Sequence, residues 1–421
     1  MKSCFTKKNN VIIAFILSAT FSFHNHLYSQ WTVQNSGTGS LLSSVYFTDA
    51  NAGYAAGSGI VLKTTNGGNT WTQAATINFS IQSIFCTDAQ NCFIAGSGSP
   101  GSGAGRTIAK TTDGGSTWAN VYTDPGNVGR LTCVFFVDNI TGFAVAETFG
   151  ISGTNGIILR TTDGGTTWTD VSPSIVNASY FSIFFTDANT GYVGGWDGSF
   201  DFVVKTTDGG TTWSENTAAG FFSSMYFTGG STGYGVGYNG NVKSTTDAGA
   251  TWQTNGVSGG WLNSIYFTDV NTGYTVGWNG KIFKTTDAGN TWVNEVSPTT
   301  NELRSVFFPD ANTGYAVGLS GTIVKYSVGG TSGMNEDKNG SEVTVYPNPF
   351  STRAKIKITT TYEIKEWSFI MYDLLGKEIM KNEKIQTGEF ILEKNNLLRG
   401  IYIYKVRHDK KILETGKLMI E

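Results

Sequence analysis

Short β-prone runs bounded by Gly, Asn and Asp recur at regular spacing along this chain. The stretch from Leu262 to Lys284 shows the unit. Leu262 to Phe267 reads as a first strand, A. The turn Asp269-Val270-Asn271-Thr272-Gly273 follows, built from residues that tolerate tight turns. Tyr274 to Gly277 reads as strand B. Trp278-Asn279-Gly280 reads as a hairpin turn, because Asn-Gly favours positive φ at both central positions. Lys281 to Thr286 reads as strand C, and strand D starts at Trp292. Such runs argue for an all-β fold. Four antiparallel strands per unit of roughly 40–45 residues make the blade of a β-propeller.

Strand A recurs seven times, beginning near Leu42, Ile81, Leu131, Tyr180, Phe222, Leu262 and Leu303. The seventh unit runs from Ile323-Val324-Lys325 into Ser327-Val328-Gly329-Gly330 without a strand D. At the other end, Trp31-Thr32-Val33-Gln34 looks like a strand D with no A, B or C before it. The two halves complement each other. The expectation is a seven-bladed propeller over residues 30–330, closed by Trp31 in the last blade, which removes the free edge of an open array.

A fixed phrase, Thr-x-Asp-x-Gly-x-Thr-Trp, ends at Trp71, Trp118, Trp168, Trp213, Trp252 and Trp292. Asn66 replaces the Asp in the first copy, and Ala248 and Ala288 stand for the middle Gly in the last two. The expected role is structural. Asp113, Asp163, Asp208, Asp247 and Asp287 accept backbone N–H groups inside a tight turn. Trp118, Trp168, Trp213, Trp252 and Trp292 pack between blades as apolar plugs. Copies spread around a ring cannot all be one active site. The phrase resembles the Asp-box, or bacterial neuraminidase repeat. That group of propellers includes sialidases, xyloglucanases, sortilin-type receptors and the photosystem II assembly-factor family. Phe-Thr-Asp-x-Asn-x-Gly-Tyr, then Val-Gly, then Lys-Thr-Thr-Asp-Gly-Gly-x-Thr-Trp most resembles the last group. The resemblance covers residues 31–330 and implies the fold, while one fold hosts many activities.

Residues 1–29 read as a signal peptide: Lys2, Lys7 and Lys8 precede an apolar stretch, Val11 to Phe23, too short to span a membrane. Residues 331–341 read as a linker. The remaining segment, 342–421, shows alternating runs such as Lys355-Ile356-Lys357-Ile358, which suggest a small Ig-like β-sandwich. Tyr346-Pro347-Asn348-Pro349-Phe350, Tyr372-Asp373-Leu374-Leu375-Gly376-Lys377 and Gly400-Ile401-Tyr402-Ile403-Tyr404 closely resemble the C-terminal sorting domain of type IX secretion cargo, a Bacteroidetes family. That resemblance implies the type IX machinery as a partner, and a location outside the cell or on its outer-membrane surface, reached through the periplasm.

Charge and composition narrow the chemistry. Residues 30–330 carry 11 Lys and Arg against 19 Asp and Glu, a balance that disfavours nucleic acid. The three histidines, His24, His26 and His408, all lie outside the propeller. A Ser-His-Asp triad and His-ligated zinc are therefore not expected there, and no metal, cofactor or catalytic residue is assigned. Sialidases need three arginines on the substrate carboxylate, and the propeller has only Arg106, Arg130, Arg160 and Arg304. A glycosidase using upper-loop acids (Glu147, Asp197, Asp201, Glu302) is the rival reading. Cys86 and Cys92 flank a five-residue turn in blade two, where other blades carry Phe and Gly, and are expected to form a disulfide. Cys133 is expected to be unpaired.

Strand alternation places B–C turns and D–A connections on one face, called upper here. Trp196, Tyr238 and Trp278 share one repeat position in the B–C turns of blades four to six, and Trp261 sits in a D–A connection. Blades two and three carry longer B–C segments, Gly96 to Arg106 and Glu147 to Asn155. The rings either form a binding platform or cap their own blades. The sequence thus points to a secreted or surface-bound, non-enzymatic binding or scaffold propeller for protein or glycan.

Overall fold

The innermost strands of the blades alternate buried and outward residues, and six of the seven carry one interruption. Leu42–Phe47 and Leu262–Phe267 bury their first, fourth and sixth residues. The extra position is a β-bulge. Register against strand B slips between Leu42 and Ser44, Ile81 and Ser83, Leu131 and Cys133, Tyr180 and Ser182, Leu262 and Ser264, and Leu303 and Ser305. Strand A is also the inner edge of its sheet, so alternate N–H groups point away from the ladder. A serine of the preceding blade takes one of them. Ile84 donates to Ser44 Oγ (3.2 Å), Val134 to Ser83 Oγ (3.1 Å), Val306 to Ser264 Oγ (3.2 Å) and Val45 to Ser305 Oγ (3.3 Å). The last of these bonds crosses from blade seven to blade one.

The computed structural model describes residues 30–98, 105–124, 129–148, 155–175, 177–216, 220–238, 240–257, 260–327, 342–346, 350–359, 367–373, 377–385, 388–395, 397–408 and 411–420. The expected signal peptide and linker lie outside them. So do the tips of both long B–C segments and the centre of the Tyr346 to Phe350 motif.

Five blades are four-stranded antiparallel sheets. Blades one and two share one six-stranded sheet, because Thr72–Cys86 carries strand D of the first straight into strand A of the second. In blade six the strands are Leu262–Phe267, Gly273–Gly277, Ile282–Thr285 and Val293–Asn294. The turn residues Asn279 and Gly280 have φ of 55° and 68°, as the Asn-Gly pair predicts. Gln30–Gln34 pairs antiparallel with Ile323–Ser327, with Trp31 opposite Tyr326. The N-terminal strand is therefore the outer strand of the last blade, and the ring closes through it.

Aromatic residues fill the axis and the seams. Tyr46, Phe85, Phe135, Phe184, Tyr226, Tyr266 and Phe307 form a closed circle, with neighbouring centroids 4.8 to 5.7 Å apart. Burial pushes the Tyr46 hydroxyl up to about 12. At the seams, the Phe ending strand A lies over the glycine opening strand B; a Cβ on Gly53 would stand 2.5 Å from the Phe47 ring. That Phe stacks on a strand-B ring of the preceding blade, as in Phe47–Tyr315 (4.0 Å) and Phe267–Tyr234 (4.1 Å). The phrase Trp meets it edge-on, as Trp71 does Phe47 and Trp292 does Phe267. In blade seven Trp31 takes this place, at 88° to Phe308 and 77° to Tyr274.

The C-terminal unit is a separate compact body. Glu342–Tyr346, Arg353–Thr359 and Glu389–Glu393 form one sheet; Glu378–Ile385, Trp367–Tyr372, Gly400–His408 and Lys411–Ile420 form the other. Ile356, Ile358 and Leu392 of the first share a core with Trp367, Phe369, Met371 and Val406 of the second. Two antiparallel sheets around one core make a small β-sandwich.

Candidate functional site

On the lower face, each repeated phrase is a joint. Asp113 Oδ1 accepts the Thr117 N–H (2.9 Å) and the Thr111 hydroxyl (2.8 Å), and Oδ2 accepts the Thr117 hydroxyl (2.6 Å). Asp163, Asp208, Asp247 and Asp287 repeat these contacts. Asn66 keeps the turn with one bond reversed: its Nδ2 donates to the Thr70 hydroxyl (2.9 Å). The Thr117 hydroxyl and N–H, which prefer the anion, hold Asp113 down at about 2. The next carbonyl ties the joint to the preceding blade, since Gly114 O accepts the Tyr54 hydroxyl (2.8 Å) and Lys63 Nζ (2.6 Å). The carboxylates themselves are exposed, so they cap turns at the surface and do not rescue buried N–H groups. Among the described residues no cluster of His, Cys, Asp and Glu is suited to a metal.

On the upper face, the ends of strands A and B present one pair of side chains per blade. Ser80 faces Ser97, Arg130 faces Glu147 and Ser179 faces Trp196. Trp278 donates its N–H to Trp261 O (2.9 Å), and Leu319 donates to Glu302 O (3.0 Å). The backbone fixes the place and leaves the side chain free to differ. Blade five puts Phe221 and Tyr238 there, stacked at 4.1 Å. Blade six puts Trp261 and Trp278 there, 4.6 Å apart. Tyr238 reaches Trp261 at 4.6 Å, and Phe181 of blade four reaches Phe221 at 4.7 Å. Five rings thus run unbroken across three blades. Tyr238, Trp261 and Trp278 are 44%, 41% and 41% exposed.

The four aromatic residues singled out by sequence are not one cluster. Trp196 is half-buried at the end of its own strand B, and no ring contact among the described residues joins it to the row. Phe181 and Phe221 were missed. Phe221 precedes strand A at the same place as Trp261, a signal readable from the repeat alignment. Phe181 sits at the bulge, where Thr132 and Ser223 carry hydroxyls that donate to carbonyls of the following blade, Tyr180 O (3.0 Å) and Leu262 O (2.9 Å). A phenyl ring cannot make that bond. The Ser182 hydroxyl covers Phe222 O instead (3.3 Å).

Charged groups flank the row. Glu147 is paired with Arg130, and burial still raises its carboxyl. Arg304 Nε lies 3.1 Å from Glu302, which also accepts Asn263 Nδ2 (2.8 Å). Burial, then the Glu147 charge, raise the Tyr238 hydroxyl, while Arg130 and Arg304 act against them. Asp197 Oδ1 accepts the N–H groups of Ser199 (2.8 Å) and Phe200 (2.7 Å) in its own turn. Burial raises the Asp201 carboxyl, partly offset by the Phe221 N–H and Lys243. Cys86 and Cys92 form a disulfide, and Cys133 is free.

Residues 344–421 match the family of secretion system C-terminal sorting domains, so the chain carries an export address for the cell surface or beyond. No curated protein matches the chain. Among solved structures, YCF48 bound to a D1 peptide is similar at 19% identity and a TM-score of 0.57, covering 71% of this chain and 97% of its own. YCF48 from Cyanidioschyzon merolae is similar at 19% and 0.56, covering 70% and 98%. The WD40 β-propeller domain of Doa1 is similar at 10% and 0.57, covering 71% and 97%. At such identities these likenesses establish the propeller fold alone.

Proposed function

We propose that this chain is an exported binding module, which takes a protein or glycan partner on the upper face of blades four to six and performs no catalysis. The observation that carries the reading is the row Phe181, Phe221, Tyr238, Trp261 and Trp278. Four of these rings stand part-exposed at paired positions where the backbone dictates no side chain, and Phe181 extends them, an arrangement that suits an interaction surface. The similar propeller that holds a D1 peptide gives a precedent at the level of fold for a bound peptide. The acids of the same face support binding over turnover. Glu147 and Glu302 are held by arginines, and Asp197 caps its own turn. A glycosidase reading would have to run through Asp201, whose carboxyl burial raises.

The test is a panel of surface glycans and extended peptides, read with the full chain and with the Trp261→Ala/Trp278→Ala variant. Ligands retained by the native chain and lost by the folded variant are the expected result. Binding indifferent to both substitutions would move the site elsewhere. Glycan cleavage abolished by Asp201→Asn would replace the binding role with the hydrolase.

A further inference from the structure

We infer that the Cys86–Cys92 disulfide is a redox-controlled wedge, which completes the seam between blades one and two only in an oxidising compartment. The argument starts from what stands at this position elsewhere. Six blades place a Phe opposite a Gly where strand A ends and strand B begins, and the Phe stacks on a ring of the preceding blade. Across all six such seams the centroids are 4.0 to 4.4 Å apart. Blade two has Cys86 opposite Cys92 in the same register. Both are buried, at 4% and 0% exposure, inside the cluster that holds Tyr54 of blade one. Tyr54 has no ring partner across the seam among the described residues, and neither does Trp118, the phrase Trp of blade two. The two joined sulfurs stand at the strand positions that the Phe and Gly hold at the other seams, in one buried cluster with Tyr54.

The bond that fills the space also depends on compartment. The cytosol keeps thiols reduced, and exported chains meet oxidising conditions; the sorting domain assigns this chain to the second case. Reduction transfers two electrons from a dithiol such as dithiothreitol, which becomes its cyclic disulfide. Two protons complete the thiols of Cys86 and Cys92. The wedge then splits into two separate side chains, and the hairpin loses the covalent link that restricts the unfolded chain.

The experiment uses the full chain with and without dithiothreitol, and mass shift after alkylation reports the state of the bridge. Reduction should lower the melting temperature of the propeller by roughly 3–6 °C, as expected for losing one short-loop bridge. It should also raise amide exchange in Ser80–Ser97 more than in any other A–B hairpin. The Cys86→Phe/Cys92→Gly variant restores the pair found in the other blades, and should melt near the oxidised protein with no response to dithiothreitol. A bridge reduced by mass with melting and exchange unchanged would overturn the proposal. So would an equal loss of protection at every seam.

Discussion

Asp113, Asp163, Asp208 and Asp247 give the propeller a defined sensitivity to acid. Each is held at about 2 in the fold, against an ordinary 3.8. A folded pKa below the unfolded one adds stability that is complete above the unfolded value and disappears as pH falls through the folded one. The melting temperature should therefore decline between about pH 4 and pH 2. Asp163→Asn should soften this decline and keep most of the neutral-pH stability, because Asn66 already makes the same turn. Asp163→Ala should melt lower than Asp163→Asn at neutral pH. Equal melting of the two variants would mean that the side-chain bonds of the turn contribute nothing. The turn itself was legible in the sequence because the phrase recurs in blade after blade with an Asp placed to accept backbone N–H groups. The exposure of the carboxylate was not, since a motif gives bonding partners and not solvent access.

Among the elements, the closing strand Gln30–Gln34 joins the two ends of the ring. Trp31 is 2% exposed and packs on Phe308, Tyr274 and Tyr326. Trp31→Ala should cost about 3–5 kcal/mol, the scale for truncating a buried aromatic side chain. A urea titration of the propeller gives the value directly, and a cost under about 1 kcal/mol would mean that the strand only decorates the ring. Its pairing could be read from the sequence because a strand without a blade and a blade without a strand each left an imbalance. The fusion of blades one and two could not. Thr72–Cys86 has no Gly or Pro to mark where one strand stops, and pairing such as Ser58 with Ser80 is a long-range outcome. The bulge in strand A was equally hidden, because Leu-x-Ser before a β-branched residue reads the same in a regular strand.

At the scale of the whole molecule, scaffold and presented surface separate cleanly. The axis, the seams and the lower-face joints use repeated residues with repeated partners. The upper pairs differ from blade to blade: Ser80 with Ser97, Arg130 with Glu147, Phe221 with Tyr238, Trp261 with Trp278. Both ends of the ring leave from the lower face, where Gln30 pairs with Ser327. The upper face therefore carries no chain end of the ring. Strand alternation in the sequence set which turns share this face, yet the sequence could not tell Trp196, held at its own strand end, from Trp278, held by Trp261. Side-chain direction across blades is a tertiary property. The measurement that tests this division most directly is thermal melting of Trp261→Ala/Trp278→Ala beside Trp31→Ala. The double variant should lie within about 2 °C of the native protein, as exposed positions usually do, while Trp31→Ala falls much further. A double variant that melts as low as Trp31→Ala would show that these rings are blade packing and that the upper face holds no site.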